Sequence, residues 1–171
     1  MNSYYMASAL SVLTAFFTAA SAWVPDRKKS FILMVIQCLV YSAASWFYGV
    51  YATIPMMLLS ALRNYLIAEE RFTLKICIPF CAAAAVLGLA FNNAGIIGIV
   101  PVLATVQMSL TCCLFRGLLS SKMSITGNLI LWLIYDILIR DVASFIMDCI
   151  STMTGLAAIV RIRRDPELCG K

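Results

Sequence analysis

The sequence predicts an all-α membrane protein with seven transmembrane helices, built as two parallel three-helix bundles that a linker helix joins (3+1+3). The 171 residues are 63% hydrophobic and 12% charged, which is too apolar for one soluble domain of this length. The apolar residues fall into about seven runs, each close to the roughly 20 residues that cross a bilayer. The residues from Gln37 to Asn64 are also similar in type, position by position, to those of the stretch that begins at Asn128, 91 positions later. This spacing predicts an internal repeat.

The first three helices are bounded by proline, glycine and charge. Pro25 and the charged residues after it end the first apolar run, and Gly49 with Val50 makes the turn between the second and third runs. Charges at residues 69–71 close the third run. We therefore predict helices over about residues 3–24, 30–48 and 51–68.

The remaining four helices follow in the same way. Residues 82–85 are all alanine, which permits close helix packing in the fourth run. The asparagine and glycine of residues 92–95 indicate a turn, residues 116–122 a basic loop, and residues 140–141 a charged turn. The predicted helices cover about residues 72–91, 96–115, 123–139 and 142–160.

The repeat divides the chain into three parts. Because a single helix 4 connects the two sets of three, helices 1 to 3 and helices 5 to 7 run in the same direction, as in a parallel repeat. The offset pairs Gln37 with Asn128, Tyr41 with Trp132, Ser45 with Asp136, and Ser60 with Ser151. The predicted parts are residues 1–68 (first bundle), 69–95 (linker helix and its loops) and 96–171 (second bundle and a basic tail).

Composition argues against an enzyme or a metal protein. The chain has no histidine, and its seven cysteines lie mostly in apolar runs without a Cys-x-x-Cys spacing. It also lacks a glycine-rich phosphate loop and a nucleophile elbow. We expect no catalytic residue, cofactor or metal. The net charge of +5 is explained by membrane lipids without nucleic acid.

The basic residues predict an orientation. Short basic loops stay on the cytoplasmic side of a membrane. In a seven-helix chain eleven of the thirteen Lys and Arg residues fall on one side, which places the N-terminus outside and the C-terminus in the cytoplasm. The eleven are Arg27, Lys28, Lys29, Arg71, Lys75, Arg116, Lys122, Arg161, Arg163, Arg164 and Lys171.

Polar residues recur on one stripe of helix 2 and one stripe of helix 6. Polar side chains at bilayer depth are costly and usually face the interior of a bundle. Two interpretations stay open: the stripes line a central polar cavity, or they form ordinary hydrogen bonds between helices. The candidate cavity residues are Gln37, Tyr41, Ser45, Trp46, Ser60, Arg63, Asn64, Gln107, Asn128, Trp132, Tyr135, Asp136, Asp148 and Ser151.

Three charged residues carry separate hypotheses. Arg63 either extends to the membrane interface or points inward to hold an anion or an acidic partner. Asp136 has Arg140 four residues later, in the order that favours an ion pair. Asp148 has no basic residue three or four positions away, which makes it the candidate for proton coupling.

Several short motifs carry a family resemblance. They are WFYGVY from Trp46, SALRN from Ser60, PVLAT from Pro101, LFR from Leu114, WLIYD from Trp132, and the single Arg161. Over about residues 25–164 the chain resembles the YgjV-type family of bacterial inner-membrane proteins, which is similar to the SWEET and PQ-loop group of small transporters. The resemblance implies a 3+1+3 fold more than an activity. The proline-glutamine pair of that group is absent, so rocking about those prolines is not implied.

Two functions follow from these observations. The first is a small-solute transporter or carrier of the bacterial inner membrane, with a central polar cavity between the two bundles. The alternative is a non-transporting membrane scaffold that binds a protein or lipid. Transport requires the polar stripes to meet at a cavity that water reaches, whereas a scaffold buries them in dry contacts. A homodimer is an alternative assembly in either case.

Overall fold

The computed structural model is all-helical within the residues that it describes, 2–49, 53–92, 95–140 and 142–165. A short 3-10 helix, Gly95–Gly98, leads into the fifth α-helix. The seven α-helices are α1 (Asn2–Trp23), α2 (Arg27–Tyr48), α3 (Thr53–Ala68), α4 (Leu74–Ala90), α5 (Ile99–Leu114), α6 (Leu118–Ile139) and α7 (Val142–Arg164).

Five of these helices are long and apolar enough to cross a membrane, namely α1, α2, α6, α7 and α5 together with its 3-10 turn. The other two, α3 and α4, are apolar but have only 16 and 17 residues. At 1.5 Å per residue they measure roughly 24 to 26 Å, somewhat less than a hydrocarbon core of about 30 Å. The predicted class, a multi-helix membrane protein, is confirmed.

Helices α1 to α3 and helices α5 to α7, which we call the two triplets, have the same order of neighbours along the chain. In the first triplet α2 packs against α1 and α3, and in the second triplet α6 packs against α5 and α7. The triplets meet where α1 packs on α7 and where α3 approaches α5, with α4 lying against α5 and α3. The 3+1+3 division with α4 as a linker stays a prediction, and this order is compatible with it.

Two helices begin earlier than the sequence predicts. The Asp26 side chain accepts a hydrogen bond from the backbone N–H of Lys29 (2.8 Å) and caps α2, so the basic residues form its first turn. The second correction is larger, because α6 begins at Leu118 and Lys122 is helical. The prediction that Lys122 lies in a basic loop is wrong, since a basic residue does not by itself end a helix.

Three of the six pairs of corresponding helix ends are 91 residues apart, and the other three are 89 to 97 residues apart. α1 ends at Trp23 and α5 at Leu114, and the 22 residues of α2 and of α6 begin and end at the same offset. The residues that follow α2 and α6 agree as well: Gly49 (φ 74°) and Arg140 (φ 60°) both adopt the left-handed conformation that ends many helices. The predicted spacing therefore reappears in the local geometry of the chain.

The basic residues gather at one end of the bundle, which we call the basic end. It contains the C-terminal ends of α1, α3, α5 and α7 and the N-terminal ends of α2, α4 and α6. Direct contacts join these ends, because Arg27 Nε donates to Ser121 Oγ (3.0 Å) and the Arg161 guanidinium lies 5.0 Å from the centre of the Trp23 ring. Lys171, which the sequence assigns to the same side, lies outside the described residues.

The interior is unusually polar for a protein of this composition. An apolar core of Phe31, Ile67, Phe72, Phe80 and Met108, with buried cysteines, joins α2 to α6. Among the described residues, however, the buried set contains nearly as many polar or charged side chains as apolar ones. Large apolar side chains are exposed on every α-helix, as expected for a surface that faces lipid.

Candidate functional site

Arg63 lies between the two triplets. Its side chain is only 4% exposed, and it extends from α3 to α5. Nη1 donates to the Thr105 carbonyl (3.3 Å) and to the Ser109 hydroxyl (3.4 Å), and Nη2 contacts Met108 Sδ (3.3 Å). The guanidinium also lies 5.9 Å from the ring centre of Phe80 on α4. Arg63 therefore points inward, and the alternative in which it extends to the interface is wrong.

Asn64 extends this contact from α3 to α2. It is fully buried; its Oδ1 accepts from Arg63 Nε (3.2 Å) and its Nδ2 donates to Cys38 Sγ (3.7 Å). The Cys38 thiol in turn donates to Gln37 Oε1 (3.4 Å). Three predicted site residues, Gln37, Arg63 and Asn64, are thus joined in one chain of hydrogen bonds.

The charge of Arg63 is not balanced by a nearby carboxylate. In the part of the chain that the structure describes, every hydrogen-bond acceptor of its guanidinium is a neutral group. Removing a charge from water costs several kcal/mol in real proteins, and neutral acceptors replace only part of the lost hydration. Arg63 is therefore a costly group to bury in the predicted site.

Asn128 and Gln107 close the interface between α5 and α6. Asn128 Nδ2 donates to the Ala104 carbonyl (2.8 Å), and Gln107 Nε2 donates to Thr111 Oγ1 (3.4 Å). Gln107 also packs on Gly127, where an added Cβ would lie 3.4 Å from Nε2. Asn128 thus acts as an ordinary interhelical hydrogen-bond donor, as the packing interpretation expects.

Two of the residue pairs that the repeat equates are buried, with one member of each pair in each triplet. Ser45 and Asp136 are 5% and 4% exposed, and Ser60 and Ser151 are 8% and 1% exposed. Each pair is separated by the predicted offset of 91 residues. The offset therefore relates equivalent burial as well as similar residue types.

The aromatic members of the stripes lie away from Arg63. Tyr41 is 37% exposed and Trp46 is 62% exposed, whereas Trp132 and Tyr135 are half-buried and pack edge to face with ring centres 5.7 Å apart. Each step of four residues turns about 40° beyond a full circle, so a stripe of this spacing drifts around its helix. The structure does not bring the complete predicted set together.

Asp148 and Arg140 lie toward the other end of the bundle. Asp148 is half-buried on α7. Arg140 is exposed, and its side chain forms no ion pair with a described residue. The sequence-based ion pair of Asp136 with Arg140 is therefore not formed, because Arg140 leaves the helix in a left-handed conformation.

Lys122 is a buried cation that the sequence analysis did not include in the site. It is 1% exposed, and Nζ donates to the Ser21 carbonyl (2.6 Å) and to Ser30 Oγ (2.9 Å). The repeat contained a partial signal, since shifting the predicted start of helix 2 at Ser30 by 91 residues would begin helix 6 at Ser121, just before Lys122. Lys122 then falls inside a helix that packs on its neighbours.

Two open pockets lie at the basic end. The first, of about 230 Å³, is crossed by the ion pair between Lys28 and Glu69 (Nζ to Oε1 2.8 Å), and this hydrogen bond lowers the pKa of Glu69. The second, of about 490 Å³, lies beside the turn from α1 to α2. Neither pocket is lined by Arg63. A central polar cavity stays a prediction.

Comparison with known proteins identifies the family. A family model described as Imp-YgjV, bacterial inner membrane protein, matches residues 5–166, which is nearly the whole chain. No curated protein and no solved structure matches the chain. The match agrees with the apolar helices and confirms a multi-pass protein of the bacterial inner membrane. The chain therefore belongs to the Imp-YgjV family of bacterial inner membrane proteins.

Proposed function

We propose that the protein is a small-solute transporter or carrier whose pathway lies between the two triplets. The observation that carries this proposal is Arg63, a buried cation that crosses from α3 to α5 and is held by neutral acceptors. In membrane proteins, ionisable residues at depth commonly mark solute or ion pathways. The proposed partners are membrane lipids and a small solute, without nucleic acid or a cofactor.

Buried polar atoms on α5, α6 and α7 add support. Within the described residues, Gln107 Oε1, Thr126 Oγ1 and Thr152 Oγ1 are buried without a hydrogen-bond partner from the protein. Buried oxygens of this kind are usually satisfied by water or another small molecule. Together they supply polar surface along α5, α6 and α7 for a hydrated path.

We further propose that the chain is an internal repeat with SWEET-like symmetry. The equal offset of the start and end of α2 and α6, the two left-handed caps and the paired burial of Ser45 with Asp136 support it. A parallel repeat places equivalent faces of α2 and α6 toward each other across the molecule. Alternating access by relative movement of the triplets follows from this symmetry.

The proposed orientation has the N-terminus outside and the basic end in the cytoplasm. Its support is the gathering of basic residues at one end of the bundle, as the positive-inside rule requires. Asp148, which lies in the first half of α7, would then be nearer the outer face. We propose it as the residue that couples solute movement to protons.

One observation favours the scaffold as the second candidate. Arg63, Asn64 and Asn128 all fill their contacts with protein atoms, as dry packing between helices would require. In that case the polar interior fixes helix packing, and the exposed outer surface binds a protein or lipid partner. A homodimer is the corresponding alternative to a monomer that encloses its own pathway.

The test is an unbiased comparison of solute uptake and release. Proteoliposomes with the protein and empty liposomes are loaded with, or exposed to, a mixture of sugars, amino acids, nucleosides and inorganic ions, and retained solutes are measured by mass spectrometry. Transport requires at least one solute to equilibrate faster with the protein present. Equal rates for every solute would favour the scaffold.

A pair of arginine variants controls the comparison. Arg63→Gln removes the buried guanidinium, whereas Arg140→Gln removes one that is exposed at the opposite end from the basic residues. If transport uses the interior, flux falls in Arg63→Gln and persists in Arg140→Gln. Equal flux in both variants would remove Arg63 from the pathway.

A further inference from the structure

The N-terminal ends of α2 and α6 make a reciprocal contact at the basic end. Arg27 of α2 donates from Nε to Ser121 Oγ of α6 (3.0 Å), and Lys122 of α6 donates from Nζ to Ser30 Oγ of α2 (2.9 Å). The two serines are 91 residues apart, and both are 1% exposed. α2 and α6 thus each supply one basic side chain and one serine to the other helix.

We propose that Arg27, Ser30, Ser121 and Lys122 form a releasable latch, which holds α2 to α6 and closes the basic end of the space between the triplets. Its role as a gate rests on the proposed pathway. The contact and its release, however, can be tested without a solute, so failure of the latch is distinguishable from failure of transport.

The latch can release because the hydrogen-bond acceptors of Lys122 are neutral groups. The ammonium group of Lys122 has three N–H donors, and among the described residues it reaches two acceptors, Ser30 Oγ and the Ser21 carbonyl. The Asp26 carboxylate attracts it from beyond ion-pair distance. Neutral acceptors replace only part of the hydration that a buried charge loses. Because Lys122 is in the second turn of α6, a small outward movement would return the ammonium to water.

Outer contacts brace the same end. Arg27 Nη1 also donates to the Ile67 carbonyl of α3 (3.4 Å) and lies 3.9 Å from a Glu70 oxygen. These contacts hold α3 to α2 when the latch is closed. Directly behind the latch, Ser124 of α6 contacts the Cys112 thiol of α5 (3.3 Å), and Cys112 is only 2% exposed. Cys112 is therefore a native reporter for opening.

The experiment measures alkylation of individual cysteines in the full-length protein. The protein in nanodiscs is treated with a small water-soluble maleimide, and peptide mass spectrometry gives a rate for each cysteine. Lys122→Ala removes both hydrogen bonds and the packing of the lysine stem, which weakens the closed state. It should raise the rate at Cys112 by about tenfold, because labelling through a transient opening follows the open population. The rate at Cys149, which is half-buried on α7, should not change.

Two further variants separate a latch from a structural tie. Ser30→Ala removes one of the two acceptors of Lys122 and should raise the Cys112 rate by a smaller factor. It provides the test if Lys122→Ala does not fold. Arg161→Gln breaks the stack on Trp23 at the same end and should leave Cys112 unchanged. An unchanged Cys112 rate in folded Lys122→Ala and Ser30→Ala, or an equal rise at Cys112 and Cys149, would overturn the latch.

Discussion

Two buried cations, Arg63 and Lys122, define the chemistry of this chain at the residue scale. Both are less than 5% exposed, and both donate to neutral acceptors of a neighbouring helix. The sequence predicted Arg63 because it interrupts an apolar run. It did not predict Lys122, because a lysine next to a turn looks the same in sequence whether it is solvated or buried.

Arg63→Met tests whether the buried charge is kept for stability. Replacing a buried charge by an apolar side chain of similar length removes a desolvation cost along with its hydrogen bonds, so we expect the free energy of unfolding to change by no more than about 1 kcal/mol. Thermal unfolding in detergent measures the change, with Arg140→Met as the exposed control. A loss above about 3 kcal/mol would mean that Arg63 mainly holds the helices together.

Asp148→Asn tests the proposed proton coupling. The substitution keeps the shape of the side chain but removes the proton that a carboxyl group can carry at depth. We expect the protein to stay folded and any flux driven by a pH gradient to disappear, while exchange of the solute without a gradient continues. Flux in proteoliposomes with and without the gradient measures both. Equal gradient-driven flux in the wild type and the variant would exclude Asp148.

At the scale of the element, the sequence predicted the seven helices well but several of their ends poorly. Proline and glycine placed the turns after α1 and α2, where backbone geometry decides the boundary. The start of α6 was five residues late, because charge was treated as a sign of a loop. Which face of each helix is buried depends on its neighbours, so Tyr41 and Ser45 of one stripe have different exposure.

The two left-handed caps give a paired stability prediction. Gly49 has open space around an added Cβ, so Gly49→Ala should lower the free energy of unfolding by about 1 to 2 kcal/mol through backbone strain alone. Arg140 already has this backbone strain at φ 60°. Arg140→Gly relieves the strain and should therefore raise the free energy of unfolding or leave it unchanged. Chemical denaturation of the two variants beside the wild type gives the comparison. A higher free energy of unfolding in Gly49→Ala together with a lower one in Arg140→Gly would contradict the shared cap geometry.

At the scale of the whole molecule, topology is the part of the prediction that rests on charge. Seven helices with basic residues at one end predict that Asn92 faces outside and Arg116 faces the cytoplasm. Single cysteines at these positions in a cysteine-free background should react with an impermeant maleimide in intact cells only at Asn92. Reaction at Arg116, with lysed cells as the control for access, would refute the orientation.

The contacts between distant helices were beyond a single sequence. The offset of 91 residues stays a prediction of which residues are equivalent, and the burial of both Ser60 and Ser151 is compatible with it. It did not predict that α1 packs on α7 or that Arg27 reaches Ser121, because a repeat relates positions within each triplet and does not say how the triplets meet. The interior contacts of Arg63 depend on that arrangement.

The contact of Lys122 with the Ser21 carbonyl has a consequence for biosynthesis, since it joins residues 101 positions apart. At about 5 to 20 residues per second, the ribosome needs roughly 5 to 20 s after making Ser21 to supply the lysine. During that interval the newly inserted α1 and α2 lack the partner that later binds their connecting turn. A chain that stalls before α6 therefore holds α1 and α2 in the membrane without this contact.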